Sequence, residues 1–350
     1  MKFRALSIGI ALCLIVIGIP LAMLVTANVL PAQTGETPKA EGYKISGPYT
    51  HENLTIFLIH GKDTINGKKF LTLQEAMQQK VVIVHETQDV NELAIENVSK
   101  DQEVYVQSGD IVKGGQQDRV LAVDLIVPPL SGKIPIAAFC VESGRWSKRG
   151  NEVAGKFESS NEVIATRDLK LAANKTKSQS EVWAKVSEAQ AKLSENTGVT
   201  VNSSVSGSSL QLSLENSRVK EMTADYLRKL SGIIDGKSDV IGYAFTINGK
   251  INSADVYGSN ALFQKLWPKL LKASAVEAIA ELQKGAKFET VKSTSVKDFF
   301  AEAEDGKASE DEVTGRVKRV TRETDKHILF ETRDQQQKAG WIHRSYVKKD

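Results

Sequence analysis

The chain is 350 residues long and carries a formal net charge of +3 and two cysteines. So small a charge gives no electrostatic case for a nucleic-acid partner, and Cys13 and Cys140 cannot build the disulfide framework of a small secreted scaffold. About 315 residues follow the N-terminal apolar run, enough for one large domain or two smaller ones with their own cores.

Lys2 and Arg4 are the only charges before Glu36, and residues 5–32 are almost wholly apolar. A basic start followed by an apolar run reads as an export signal or N-terminal anchor over residues 1–32. Residues 5–25 would make a helix of roughly 31 Å, long enough to span a bilayer core. Against an anchor, Gly18 and Pro20 interrupt the run, and Ala27 and Ala32 stand at candidate cleavage points. Either outcome implies a secreted, periplasmic or cell-envelope protein, touching a membrane only through that segment if it is uncut. Cleavage would lower the formal charge from +3 to +1 and leave Cys140 as the single thiol.

Residues 33–42 read as a linker rich in Thr, Gly, Pro and Lys. Residues 54–59 suit a strand buried on both faces. Asn66-Gly67 marks a turn, and Thr72 with Glu75 forms a capping box for a short helix over 73–80. A β-branched run at 81–84 is a further buried strand. Short apolar segments at 93–95, 103–107, 120–127 and 134–141 then predict a sandwich-like or barrel-like β unit over about 43–150. Helical spacing of Val182, Trp183, Val186, Ala189 and Leu193 starts a second unit at 178, followed by a mobile polar loop at 196–209 and a helix at 220–233. Asn248-Gly249 sits between two strand-like runs and marks a tight hairpin. Ser259 opens a helical stretch that Pro268 is expected to kink or restart. The expected fold class is therefore α+β, with the β-rich unit packed against a helix–hairpin–helix unit near 178–284. The remaining residues, 285–350, form a charged extension with a small sheet. Its basic part, from residue 316 on, offers either a docking surface for an anionic partner or solvated strand faces.

The densest group of chemically useful residues lies between Gly109 and Trp146. Gly114 and Gly115 let backbone amides approach a ligand closely. Arg119 and Arg145 present guanidinium forks suited to carboxylate or phosphate. Asp118 and Glu142 are the candidate acid or base, unless they only neutralise those arginines. Gln116 lies on the same loop, and Trp146 can stack on a ring or cover a pocket floor. The competing reading is a buried salt-bridge clamp pinning two loops. The glycine pair has neither phosphate-loop nor dinucleotide-loop spacing, so no cofactor is indicated. Cys140 continues the strand alternation of Ile134, Ile136 and Ala138, which favours a core residue over a nucleophile. His51, His60, His85, His327 and His343 show no ligand spacing, and no metal site is expected.

The run from Phe70 to Ala76, then Gly109-Asp110, then Gly114-Gly115-Gln116-Gln117-Asp118-Arg119, and finally Cys140-Val141-Glu142-Ser143-Gly144-Arg145-Trp146 resemble the ARG and rhodanese-phosphatase-superfamily-associated protein domain family. Gly242-Tyr243-Ala244-Phe245, Asn248-Gly249 and the helical region after Leu262 extend the resemblance over about 44–284. The family's association with ADP-ribosylglycohydrolase and phosphatase-like proteins implies a role near ADP-ribose or phosphorylated nucleotide sugars. Export of the chain would run against an intracellular version of that role. Three functions follow as expectations. The first is a binding module for a small anionic ligand or a protein partner, using Gly114, Gly115, Gln116, Arg119, Arg145 and Trp146. The second is a hydrolase with Glu142 or Asp118 as acid or base. The third is a structural exported domain.

Overall fold

The computed structural model describes residues 42–65, 67–87, 89–145, 155–160, 166–337 and 340–349. The leader over 1–32, Asn66 of the expected turn and Trp146 lie outside them. The first hairpin, β1 (Lys44–His51) and β2 (Leu54–His60), shows why β2 is apolar throughout. Its side chains alternate between two cores: Leu54, Ile56 and Leu58 enter one, Phe57 and Ile59 the other.

A β-rich unit follows, with β3 (Phe70–Thr72), helix α1 (Leu73–Gln78), β4 (Val82–Glu86), β5 (Glu92–Asn97), β6 (Glu103–Val106) and β7 (Ile111–Gly114). It continues with β8 (Arg119–Leu121), β9 (Leu125–Val127), β10 (Lys133–Cys140) and β11 (Phe157–Ser159). The capping box at Thr72 forms as expected: its hydroxyl accepts from Glu75 N at 3.2 Å, and the Glu75 carboxylate accepts from Thr72 N at 2.8 Å. Among the described residues six strands run in the order β11-β7-β8-β10-β5-β4, a nearly closed barrel, beside a three-stranded sheet β3-β6-β9.

The helical unit comprises α2 (Arg167–Leu171), which runs into a π-helical turn at Ala172–Thr176, then α3 (Gln179–Thr197), α4 (Leu210–Leu214) and α5 (Ser217–Leu230). The hairpin β12 (Val240–Ile247) and β13 (Lys250–Tyr257) turns at Asn248 and Gly249, both at positive φ of 53° and 70°. That is the mirror-image turn which matches strand twist and which Asn-Gly adopts at low cost. Next comes α6 (Asn260–Ala280), unbroken across Pro268. No new helix starts there. Pro268 is exposed and Gln264, whose carbonyl loses its helical partner there, is half-buried, while Leu262, Phe263, Leu266, Trp267, Leu270 and Leu271 bury the opposite face. Packing of that face outweighs one missing hydrogen bond.

The chain ends with α7 (Ser293–Glu304), β14 (Lys307–Glu312), β15 (Val317–Glu323), β16 (His327–Asp334) and β17 (Trp341–Lys348). These strands join the first and second hairpins in one eight-stranded sheet, ordered β1-β2-β12-β13-β17-β16-β15-β14. β2 thus pairs with β12 across a long sequence gap rather than with the barrel strands that follow it. Likewise β17 docks on β13 rather than closing a separate small sheet. Among the described residues no helix is long and apolar enough to cross a membrane.

Candidate functional site

The structure brings the residues predicted from the two loops together, and it ties them to one another. Gly114 ends β7, Arg119 opens β8 and Glu142 follows β10, so the three meet at one end of three neighbouring strands. Asp118 and Glu142 are fully buried. Asp118 Oδ1 accepts from Gly114 N at 2.9 Å, and its Oδ2 accepts from Ser209 Oγ at 3.1 Å. Glu142 Oε2 accepts from Arg145 Nε at 2.7 Å, and Oε1 accepts from Ser206 Oγ at 2.5 Å. Arg145 also donates to the carbonyls of Gly115 and Gly114, at 3.3 and 3.2 Å. Each glycine is required by the geometry. Both have positive φ, and a Cβ would overlap the Lys156 carbonyl at Gly114 or the Phe157 ring and Glu86 carboxylate at Gly115.

Arg119 is buried, donating Nη1 to Gln117 Oε1 at 3.2 Å and to Cys140 Sγ at 2.7 Å, with Glu86 3.7 Å from Nη2. Its Nε and the Gln117 Nε2 have no hydrogen-bond partner. Burial pushes the Cys140 thiol up, against the pull of Arg119, so it stays a neutral core thiol rather than a nucleophile. Gln116 N donates to Glu86 Oε1 at 2.8 Å, linking this turn to the end of β4. The expected mobile loop is tied in as well. Ser206 and Ser209 reach the carboxylates, and Ser208 Oγ donates to Ser143 O at 2.6 Å. Each carboxylate oxygen therefore accepts a hydrogen bond from the protein. The arrangement ties four segments together through the two buried carboxylates.

A second polar cluster was not visible from spacing. The sheet register places Asp311, Arg319, Thr332, His343 and Tyr257 opposite one another on successive strands, with Phe330, Ser345 and Asp255 in the neighbouring row. Because side chains alternate faces with period two, these residues point to one side of the sheet. Facing them are Ser108 and Asp124 from the β unit and Lys170 and Asn174 from the end of α2 and its π turn. Between lies a narrow cleft whose free volume for a water-sized centre is about 20 Å³.

The cleft floor is a buried imidazolium. His343 Nδ1 lies 2.8 Å from Asp124 Oδ2 and Nε2 lies 3.1 Å from Asp255 Oδ1. The Tyr257 ring stacks on it with centroids 4.6 Å apart. Burial opposes charging of His343, but the two carboxylates outweigh burial and push its pKa up to about 9. Burial works against Asp255 too, yet Lys170 and His343 hold its carboxyl well below the usual range. Asp124 is held down against burial by His343, Thr332 and the amide of Ser108. With both ring nitrogens committed, His343 is a fixed cation and not a base in waiting.

Arg319 lines the same cleft and is 8% exposed. Its Nη2 reaches Asp311 Oδ2 at 3.0 Å, and the guanidinium lies 5.8 Å from the centre of the Phe330 ring. Its Nε and Nη1 have no hydrogen-bond partner. Asn174 sits in the π turn, and such turns recur where a helix is re-aimed for function. No group of three or more His, Cys, Asp or Glu among the described residues is arranged to hold a metal ion.

Comparison with known proteins gives one finding on kinship. The family defined by the ARG and Rhodanese-Phosphatase-superfamily-associated Protein domain matches residues 42–347, from the start of β1 to the end of β17, and the chain belongs to that family. No curated protein and no solved structure matches.

Proposed function

We propose that this member of the family is a binding module for a small anionic ligand, seated in the cleft beside Arg319, Lys170 and His343 rather than on the loop patch. The observation that carries the reading is the buried guanidinium of Arg319, a residue lining the cleft, with two enclosed nitrogens that a small turn of the side chain would present to an oxyanion. An unmade hydrogen bond to a buried charged donor is costly, and an oxyanion at that wall removes the cost. Lys170 Nζ, 3.5 Å from Asp255, supplies a further donor. Three cations, Arg319, Lys170 and His343, face three carboxylates, Asp311, Asp255 and Asp124, so attraction comes from placed N–H groups more than from net charge. The narrowness of the cleft leaves no room for a whole nucleotide sugar, so the ligand would be a small oxyanion entering at its open mouth. The basic and apolar N-terminus supports a site of action outside the cytoplasm, which fractionation of cells producing the full chain would check.

Calorimetric titration with orthophosphate and with sulfate tests the reading. Binding to the intact protein is expected, weakened at least about tenfold by Arg319→Met, because a charge-assisted hydrogen bond contributes about 1.5–3 kcal/mol. No heat from either anion up to about 10 mM, a ceiling set by the weakest useful affinity, overturns it.

A further inference from the structure

Apart from the cleft, the opposite edge of the large sheet holds a serine, a histidine and an aspartate in series. Ser46 Oγ in β1 lies 2.7 Å from His60 Nε2 at the end of β2, and His60 Nδ1 lies 3.0 Å from Asp239 Oδ1. With the Nδ1 hydrogen facing the carboxylate, Nε2 is left with its lone pair toward the serine hydroxyl. Both distances fall within the range of an activated nucleophile, its base and the group that orients the base. All three are positioned by rigid elements. β2 is paired on both sides, by β1 and β12. The segment carrying Asp239 is held by Gly61 N donating to Asp239 O at 2.9 Å and by Asn260 Nδ2, at the start of α6, donating to Val240 O at 2.5 Å. Ser46 is half-buried and β1 is the outer strand of the sheet, so the hydroxyl sits beside an open edge. The pairing with β2 is interrupted straight after Ser46, and Gly47 has no register partner. An amide directly after the nucleophile is a recurrent donor to a developing oxyanion.

We infer that Ser46, His60 and Asp239 form a nucleophilic site for small, activated carboxylic esters. In the forward step Ser46 Oγ bonds to the ester carbonyl carbon, His60 Nε2 takes the hydroxyl proton, and the ester C–O bond breaks as that proton passes to the leaving alkoxide. Water, deprotonated by His60, then releases the carboxylic acid and restores the serine. Asp239 is largely exposed, with 63% of its side-chain surface accessible, so it acts as a positioning residue in competition with water.

The test treats the full chain with a fluorophosphonate probe and follows hydrolysis of 4-nitrophenyl acetate. Peptide mapping is expected to find the adduct on Ser46, and Ser46→Ala to remove it. His60→Gln should slow labelling about a hundredfold, the usual size of general-base assistance, and Asp239→Asn about tenfold. Absence of an adduct on Ser46, or a labelling rate indifferent to His60→Gln, overturns the inference. If Ser46→Ala does not fold, the adduct map of the intact protein and the His60→Gln rate decide.

Discussion

The clamp around Glu142 and the cleft above His343 are built from the same residue types, arginine facing carboxylates with hydroxyls between, and both are buried. They differ in where the hydrogen bonds stop. At the clamp, Arg145 is shared among Glu142 and two backbone carbonyls, and serines from one loop cap both acids. At the cleft, Asp124 and Asp255 spend themselves on His343, and Arg319, a lining residue, is left with two enclosed nitrogens that no protein group meets. Both places keep buried donors without a partner, Arg119 Nε and Gln117 Nε2 at the clamp and Arg319 Nε and Nη1 at the other, and it is the neighbouring cleft that separates them.

Removing Arg145 should break the clamp most severely. Arg145→Ala leaves two buried acids short of a counter-charge and is expected to cost about 3–5 kcal/mol in urea unfolding. An effect under about 1 kcal/mol, the range of exposed pairs, would show that the patch is not structural. Orthophosphate titration of that variant, in whatever fraction folds, should match the parent protein.

Raising the pH should weaken the cleft floor next. His343 has its pKa raised from 6.5 to about 9, so its contribution is complete below pH 6.5 and is lost as pH climbs through 9. The loss amounts to roughly 3 kcal/mol at 1.36 kcal/mol per pKa unit. Asp255 and Asp124, held low, contribute in the opposite sense and lose their share in acid. Unfolding free energies from pH 6 to pH 10 would record the decline, and His343→Gln should flatten it.

Gly115→Ala should cost about 1–3 kcal/mol, through a strained positive φ of 55° and the overlap of its Cβ with Phe157 and Glu86. Equal melting temperatures for the variant and the parent would mean that the turn is free to shift. The smallest change concerns Asp311, which holds one nitrogen of Arg319 from an exposed position. Asp311→Asn should tighten orthophosphate binding about two- to fivefold, since exposed ion pairs are worth about 0.2–1 kcal/mol. Weaker binding would instead make Asp311 part of what positions Arg319.

Much of the local structure was legible beforehand. The capping box at Thr72, the Asn248-Gly249 hairpin and the two-sided burial of β2 each depend on residues within a few positions, whose conformational preferences act locally. The gathering of Gly114, Asp118, Arg119, Glu142 and Arg145 was also foreseen from loops ending neighbouring strands. Whether those groups bind a ligand or one another was not, because a hydrogen bond depends on angles and distances that composition does not carry. The restart allowed for at Pro268 fails to occur for a related reason: the local penalty is real, but the apolar face of α6 is anchored along its length.

Sequence alone determined the α+β class, the family resemblance, the caps and turns, and the apolar character of the strands, all properties of short-range chemistry and periodicity. Tertiary structure decided the rest. Arg319, Thr332, His343 and Tyr257 lie on four strands, and they meet only because β17 pairs with β13 and β16 in one register. A shift of one residue would turn every one of those side chains to the other face, and nothing nearby in the chain encodes that choice. Ser46, His60 and Asp239 likewise meet because β2 pairs with β12 across most of the fold's length. Long-range strand pairing, set by the burial of whole faces, is what places a lone histidine between two acids or beside a serine.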